Sequence, residues 1–411
     1  MRRNNTSVLG SISGLGVPAI LLAGVLAAGA AAQQPPRLRA RELGIVTGTL
    51  QPGPLDAITD VNGVLVGHTT IVRGNGPLKV GQGPVRTGVT AVLPRKDVWF
   101  NAVYAAVHTL NGDGEMTGAH WIRDRETLAH PVLITNTGSV GAVHDAEIAY
   151  MTERYPARDW AFLPVVAETW DGTLNDIRGR HVKAADVYAA IDNARGGPVA
   201  EGNVGGGTGM ICYSFKGGIG TASRRTPPDQ GGYTVGVLVQ ANFGRRPELT
   251  IAGVPVGREI ADLMPAVNRT TGGDDAINTG HEGSVIVVIA TDAPLSSRQL
   301  ERLGRRAALG LARTGTISGN TSGDIFVAFS TANAVPLDGG APVLSASLLS
   351  PEATDRLNGL FQGVVEATEE AVLNALTKSE TMTGIDGNTV YALPYDRLKA
   401  VMAKYGRPIS R

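Results

Sequence analysis

In a chain of 411 residues, 37 Lys+Arg balance 37 Asp+Glu, which leaves no charge excess for holding a nucleic acid, an anionic membrane surface or a polyanion; small neutral substrates fit better. A hydrophobic fraction of 43% with 18% charged residues excludes a disordered chain and allows one large core or two smaller ones. Cys212 is the single cysteine, which excludes an intrachain disulfide and any cysteine-based metal cage.

In chain order, the first 32 residues read as a signal peptide. Arg2 and Arg3 precede an apolar stretch from Val17 to Ala28, small residues follow at Ala30, Ala31 and Ala32, and Gln33 to Pro36 end any helix. The apolar core is short for a membrane span, and an uncleaved anchor is the competing reading. Cleavage after Ala32 is therefore expected, giving a periplasmic or secreted protein with no stable membrane association.

Glycine-punctuated runs rich in β-branched residues then predict strands at Val132–Thr135, Phe162–Ala167, Met210–Phe215, Val235–Ala241, Val285–Ala290 and Ile325–Phe329. Several are apolar at consecutive positions, so both of their faces should be covered. Helices are expected over Val143–Arg154, His181–Ala194, Ser296–Arg313 and Thr354–Leu376. The third shows an apolar face at Leu300, Leu303, Ala307 and Leu311, and Ser296 with Gln299 can form its capping box. Buried strands with helices outside predict an α/β sandwich of sheets flanked by helices. No linker divides residues 33–411, which read as one catalytic domain.

The densest glycine loop, Gly202 to Gly209, follows a helix and leads into a strand, the reverse of a dinucleotide fingerprint, and it lacks the Lys-Ser or Lys-Thr of a P-loop. A close backbone approach is the expected reason for its glycines. The seven histidines are scattered without ligand spacing, so neither a metal nor a cofactor is expected.

Gly283-Ser284 is the pair with chemical interest. A polar turn from Asn278 through Glu282 delivers Ser284 to the start of a buried strand. There its hydroxyl could attack the Gly283 carbonyl, and water could then cleave the resulting ester. The product would be an N-terminal serine whose own α-amine, ordinarily titrating at about 7.7 to 8.0, could serve as base. A plain turn entering a strand is the competing reading. Glu168, Asp171, Asn175 and Asp176 crowd a turn where a carboxylate could bind a substrate ammonium or merely cap a helix. Asn242, at a strand end, could donate to an oxyanion. Ser322 and Asp324 precede a strand and could orient the nucleophile's amine, or form a turn.

At these residues the sequence resembles the DmpA-like aminopeptidases, a group that includes D-aminopeptidase/esterases and β-peptidyl aminopeptidases. The matching stretches are Thr59–His68, Asn111–Gly118, Asn136–Gly141, Val165–Asp176, Gly205–Arg224, Val235–Gly244, Gly283–Leu295 and Ser322–Asn333. The resemblance implies a four-layer α-β-β-α sandwich, similar in layers to N-terminal nucleophile hydrolases but with different connectivity. It implies self-cleavage into an α fragment, 33–283, and a β fragment, 284–411, with homo-oligomers of the αβ pair. By position, it makes Ser284 the nucleophile, Asn242 the oxyanion donor, Ser322 and Asp324 the supports of the Ser284 amine, and Glu168 the acid that holds the substrate's amino group. Trp170 falls where some members carry a tyrosine; an indole cannot supply the phenol oxygen and would instead narrow the pocket. The activity implied is removal of the N-terminal residue from a small peptide, amide or ester. An acyltransferase similar to the ornithine acetyltransferases, which use a threonine nucleophile on the same sandwich, is the alternative.

Overall fold

Runs of consecutive apolar residues become strands here because a layer covers each of their faces. The computed structural model describes residues 10, 36–157, 163–268, 283–337 and 342–409. The expected signal peptide (apart from Gly10), the turn Asn278–Glu282 and Phe162 lie outside the described residues.

The first strands are β1 (Leu65–Arg73), β2 (Val85–Leu93), β3 (Asn101–Gly112), β4 (Thr127–Leu128), β5 (Val132–Asn136) and β6 (Val165–Thr169). They are followed by β7 (Ile211–Cys212), β8 (Phe215–Lys216), β9 (Gly218–Arg225), β10 (Thr234–Phe243), β11 (Gly283–Thr291) and β12 (Gly323–Pro336). The helices are α1 (Ala119–Arg125), α2 (Val140–Arg154), α3 (Ala184–Asp192), α4 (Val256–Glu259), α5 (Ser297–Arg313), α6 (Thr354–Lys378) and α7 (Tyr395–Lys404).

Of the two large sheets, one has the order β1-β2-β5-β6 and the other β4-β3-β12-β11-β10-β9. Residues from both sheets, among them Val92, Ile134, Ala167, Leu238, Ile286 and Val327, form the core between them. A second core lies under α2 and α3 on the smaller sheet, and a third under α5 and α6 on the larger one. The result is the four-layer α-β-β-α sandwich. Each sheet holds a parallel pair joined through a helix, β5-α2-β6 and β11-α5-β12, as parallel neighbours require.

The α5 cap forms as expected: Ser296 accepts from the Gln299 N–H, and Gln299 Oε1 accepts from the Ser296 N–H at 2.9 Å. Leu300, Leu303, Ala307 and Leu311 are buried against the sheet. The long helix α6 carries Glu366 and Glu370 into the interior, where Arg224 of β9 meets them at 3.3 and 2.5 Å.

Four expectations are corrected. Met210–Phe215 is not one strand but a tight hairpin, β7-β8, because Tyr213 and Ser214 both take left-handed backbone angles, φ 51° and 58°. The helix expected from His181 begins at Ala184, since His181 is held outside it by Asp176 and Arg73. Glu168 belongs to β6 and not to the turn after it, because pairing with β5 continues through Thr169. Asp324 likewise lies inside β12, extended by its ladder with β11, while Asn242 is the last residue but one of β10, at a strand end as expected.

Candidate active site

β11 runs between β10, antiparallel to it, and β12, parallel to it. Ser284, its second residue, lies directly opposite Asn242 on β10 and beside Gly323 on β12. Alternation along the strands puts Ile286 and Val288, with Leu238 of β10, in the core between the sheets. Ser284 and Asn242 share that face, at its open end, and are only 5% and 6% exposed.

The amide of Asn242 has a defined orientation. Its Oδ1 accepts from the backbone N–H of Ile211 at 2.8 Å, and an N–H can only donate, so the Nδ2 hydrogens point elsewhere as donors. An amide fixed in this way, directly across from a hydroxyl, can stabilise the oxyanion that forms on a carbonyl attacked by that hydroxyl.

Gly283 explains why the residue before Ser284 carries no side chain. Its φ is +80°, in the left-handed region, and a Cβ there would stand 1.9 Å from the Asn242 carbonyl oxygen. Only glycine fits both demands without moving the strand.

Ser322 Oγ donates to Asp324 Oδ1 at 2.6 Å, and both residues are buried. The ladder sets Asp324 beside Val285, so this pair brackets Gly323, the neighbour of Ser284. Alternation turns the Asp324 side chain to the helix-covered face with Val285. From there it can address the backbone nitrogen of Ser284, which lies in the sheet plane, more readily than the hydroxyl.

Glu168 approaches from the other sheet. Its Oε1 accepts from the Glu115 N–H at 3.0 Å, and its Oε2 accepts from the Thr137 hydroxyl. The segment after β3 bridges the two sheets: a Cβ built on Gly114 would lie 3.2 Å from Glu168 Oε1 and 3.1 Å from the Cα of Gly323. The carboxylate therefore stands across one glycine from the strand position beside Ser284. Burial raises its pKa above the ordinary glutamate value, the carboxylates of Glu115 and Asp113 push the same way, and the two hydrogen bonds offset part of the effect. An arriving ammonium would relieve that penalty.

Trp170 stands half-buried just past β6, its ring close over Gly172. Asp171, fully buried, accepts from Asn175 Nδ2 at 3.0 Å, and burial pushes its carboxyl up to about 7. Asn175 also accepts from the Arg86 N–H, and Asp176 from those of Gly81 and Gly179, so the structure uses these residues to build the loop. Gly206 and Gly207 make the expected close approaches: a Cβ would stand 2.3 Å from Gln240 Oε1 at the first and 2.5 Å from the Ile219 nitrogen at the second. The contributions of the Ile211 N–H, Thr137 and the Glu115 N–H were not anticipated from sequence. Two of the three are backbone donors and carry no residue-type signal.

Residues 56–390 match peptidase family S58. The chain belongs to this family. It is 50% identical over 394 residues to the beta-peptidyl aminopeptidase BapA of Sphingosinicella microcystinivorans, covering 95% of this chain and 97% of that protein. Among solved structures, the L-aminopeptidase D-Ala-esterase/amidase of Ochrobactrum anthropi, described as a prototype of the serine aminopeptidases and a new variant of the Ntn hydrolase fold, is similar with TM-score 0.81 and 47% identity over 90% of this chain and 99% of that one. A Burkholderia sp. beta-aminopeptidase is similar with TM-score 0.81 and 44% identity over 90% and 99%. The S58 protein described here is thus a hydrolase acting on peptide bonds, an aminopeptidase, on a mixed α/β fold of the Ntn type.

Proposed function

We propose that this S58 aminopeptidase is made as a precursor that cleaves itself between Gly283 and Ser284 and then uses Ser284 as its nucleophile. The observation that carries the reading is the cross-strand pairing of Ser284 with an Asn242 whose amide donors are already turned away from Ile211.

In processing, Ser284 Oγ attacks the Gly283 carbonyl carbon, the C–N bond breaks, and the nitrogen takes up the hydroxyl proton. Water then hydrolyses the Gly283 ester, leaving a carboxylate on Gly283 and a free amine on Ser284. Both steps place an oxyanion where Asn242 Nδ2 can donate. In turnover, Glu168 holds the ammonium of the substrate, which limits cleavage to the first residue. The Ser284 amine, supported by Ser322 and Asp324, takes the hydroxyl proton as the acyl-enzyme forms and returns one to the leaving amine. Water releases the acyl group as the free amino acid. Trp170 narrows the pocket beside Glu168.

The identity to a beta-peptidyl aminopeptidase favours substrates with an N-terminal β-amino acid, with L-α-aminoacyl amides and esters as the comparison class. The peptidase relatives also favour hydrolysis over acyl transfer to an amine. Export is supported by the charge-then-apolar layout of the first 32 residues, and an oligomer of αβ pairs is proposed by the resemblance alone.

The test is turnover of β-alanyl and L-alanyl p-nitroanilides beside their N-acetylated forms. Release of p-nitroaniline from the free-amine substrates alone is expected. Equal release from the acetylated forms, or release only with an added amine acceptor, would contradict the proposal.

A further inference from the structure

Lys216 is wholly buried, and its ammonium donates to three backbone carbonyls: Met210 at 2.8 Å, Gly217 at 2.7 Å and Gly207 at 3.4 Å. Two of these oxygens have an N–H partner besides it: Met210 O accepts from the Gly217 N–H at 2.9 Å and Gly207 O from the Met210 N–H at 3.3 Å, whereas the single proton of the Ser379 hydroxyl is shared between Gly217 O and Ala375 O, each at 2.7 Å. A buried charge is expensive unless something uses it. The Met210 and Gly207 carbonyls keep an N–H partner without it, so what Lys216 adds to them is positive charge, and one place bears on the site.

That place is the Met210–Ile211 peptide. Its carbonyl faces Lys216, and its N–H, in the same rigid plane, donates to Asn242 Oδ1 at 2.8 Å. The hydrogen bonds therefore run in series from the ammonium through the peptide to the Asn242 amide. In such a chain each bond polarises the next, so a cation on the carbonyl strengthens the N–H as a donor, and that in turn strengthens the Nδ2 hydrogens of Asn242. The hairpin is locked around this unit. The Tyr213 N–H donates to Phe243 O at 2.8 Å, and the Arg246 guanidinium donates to the Tyr213 and Ser214 carbonyls at 2.9 and 2.7 Å.

We propose that Lys216 is a positioning residue for the oxyanion donor, holding and polarising the Asn242 amide through the Met210–Ile211 peptide. The proposal rests on the reading of Asn242 given above. Burial draws the Lys216 ammonium down to about 7, and the attraction of Asp171 opposes that shift.

The test compares kcat and KM for β-alanyl p-nitroanilide, per mole of processed chain, in Lys216→Met, Asn242→Ala and the double variant, each checked by intact mass and thermal melting. Lys216→Met keeps an aliphatic stem of similar length and removes the ammonium together with its three N–H donors. It is expected to lower kcat about tenfold or more with KM within about threefold, and to add less than about twofold when Asn242 is already alanine. Should the methionine variant fail to fold, Lys216→Gln, which keeps two N–H donors without the charge, replaces it with the same expectation. An unchanged kcat in the Lys216 variant beside a reduced one in Asn242→Ala overturns the role of Lys216 and leaves Asn242 in place, as do losses that simply multiply in the double variant. An unchanged kcat in Asn242→Ala overturns the underlying reading instead.

Discussion

Ser284 of β11 and Asn242 of β10 face each other as a cross-strand pair, and the carbonyl of that same Asn242 is what a Cβ on Gly283 would strike. One residue thus supplies the proposed oxyanion donor and restricts the residue before the proposed nucleophile. Removing the donor alone, as Asn242→Ala, is expected to lower kcat by about 10²–10³ with little change in KM, the usual loss for one oxyanion-hole donor. Steady-state kinetics on a p-nitroanilide checks this; a loss confined to KM would mean that Asn242 only binds substrate.

Gly283→Ala should slow or block self-cleavage without unfolding the sandwich, because the new methyl meets the Asn242 carbonyl at 1.9 Å and the backbone is in the left-handed region. A time course of fragment formation after synthesis measures it. Cleavage at the wild-type rate would show that strand geometry at Gly283 does not matter to the reaction.

In the proposed role, Glu168 ties substrate binding to pH. Its pKa is raised, burial being the first cause, so as pH falls the carboxylate protonates at a higher pH than an ordinary glutamate and loses its charge for the ammonium. KM for free-amine substrates should therefore rise on the acid side, beginning above the usual glutamate range, and Glu168→Gln should abolish that limb while lowering kcat/KM about tenfold or more. The stability effect has the opposite sense. Below the ordinary glutamate value the group is neutral in both folded and unfolded chains; above its raised folded value it is charged in both, and burial then costs stability. Glu168→Gln should accordingly melt at the same or a higher temperature than the parent near pH 8. A clear drop there would show that the carboxylate is structural.

Arg224, from the proposed α fragment, lies wholly buried between Glu366 and Glu370 of the proposed β fragment. Arg224→Met leaves those carboxylates without their buried partner and should destabilise the protein by about 3–5 kcal/mol, as breaking a buried pair from one side does. Denaturant melts of the processed protein measure the change, and dissociation of the two fragments should occur at lower denaturant. A change below about 1 kcal/mol would mean that Arg41, which also reaches Glu370, compensates.

The layers were legible because strands buried on both faces leave consecutive apolar runs, as in Val285–Ala290, and because α5 announces itself with Ser296 and Gln299 at its cap. The hairpin Ile211–Lys216 was not legible, since its turn uses Tyr213 and Ser214 at positive φ where a glycine or asparagine would have signalled it. Glu168 and Asp324 read as turn residues because single-chain patterns cannot show a ladder extended by neighbouring strands. In the site, Ser284 and its partners came from residue types in family order. The Ile211 and Glu115 N–H groups, which aim Asn242 and Glu168, have no side-chain signature and emerge only when the chain is folded. Lys216 is set apart only by its complete burial.

Intact-mass measurement of the purified wild-type chain beside Ser284→Ala tests self-processing most directly. The wild type should resolve into two species matching residues 33–283 and 284–411, and the variant should remain a single chain without peptidase activity. A Ser284→Ala chain still divided between Gly283 and Ser284, or a wild-type chain that stays whole while turning over substrate, would contradict the assignment of Ser284 as both the agent of cleavage and the nucleophile.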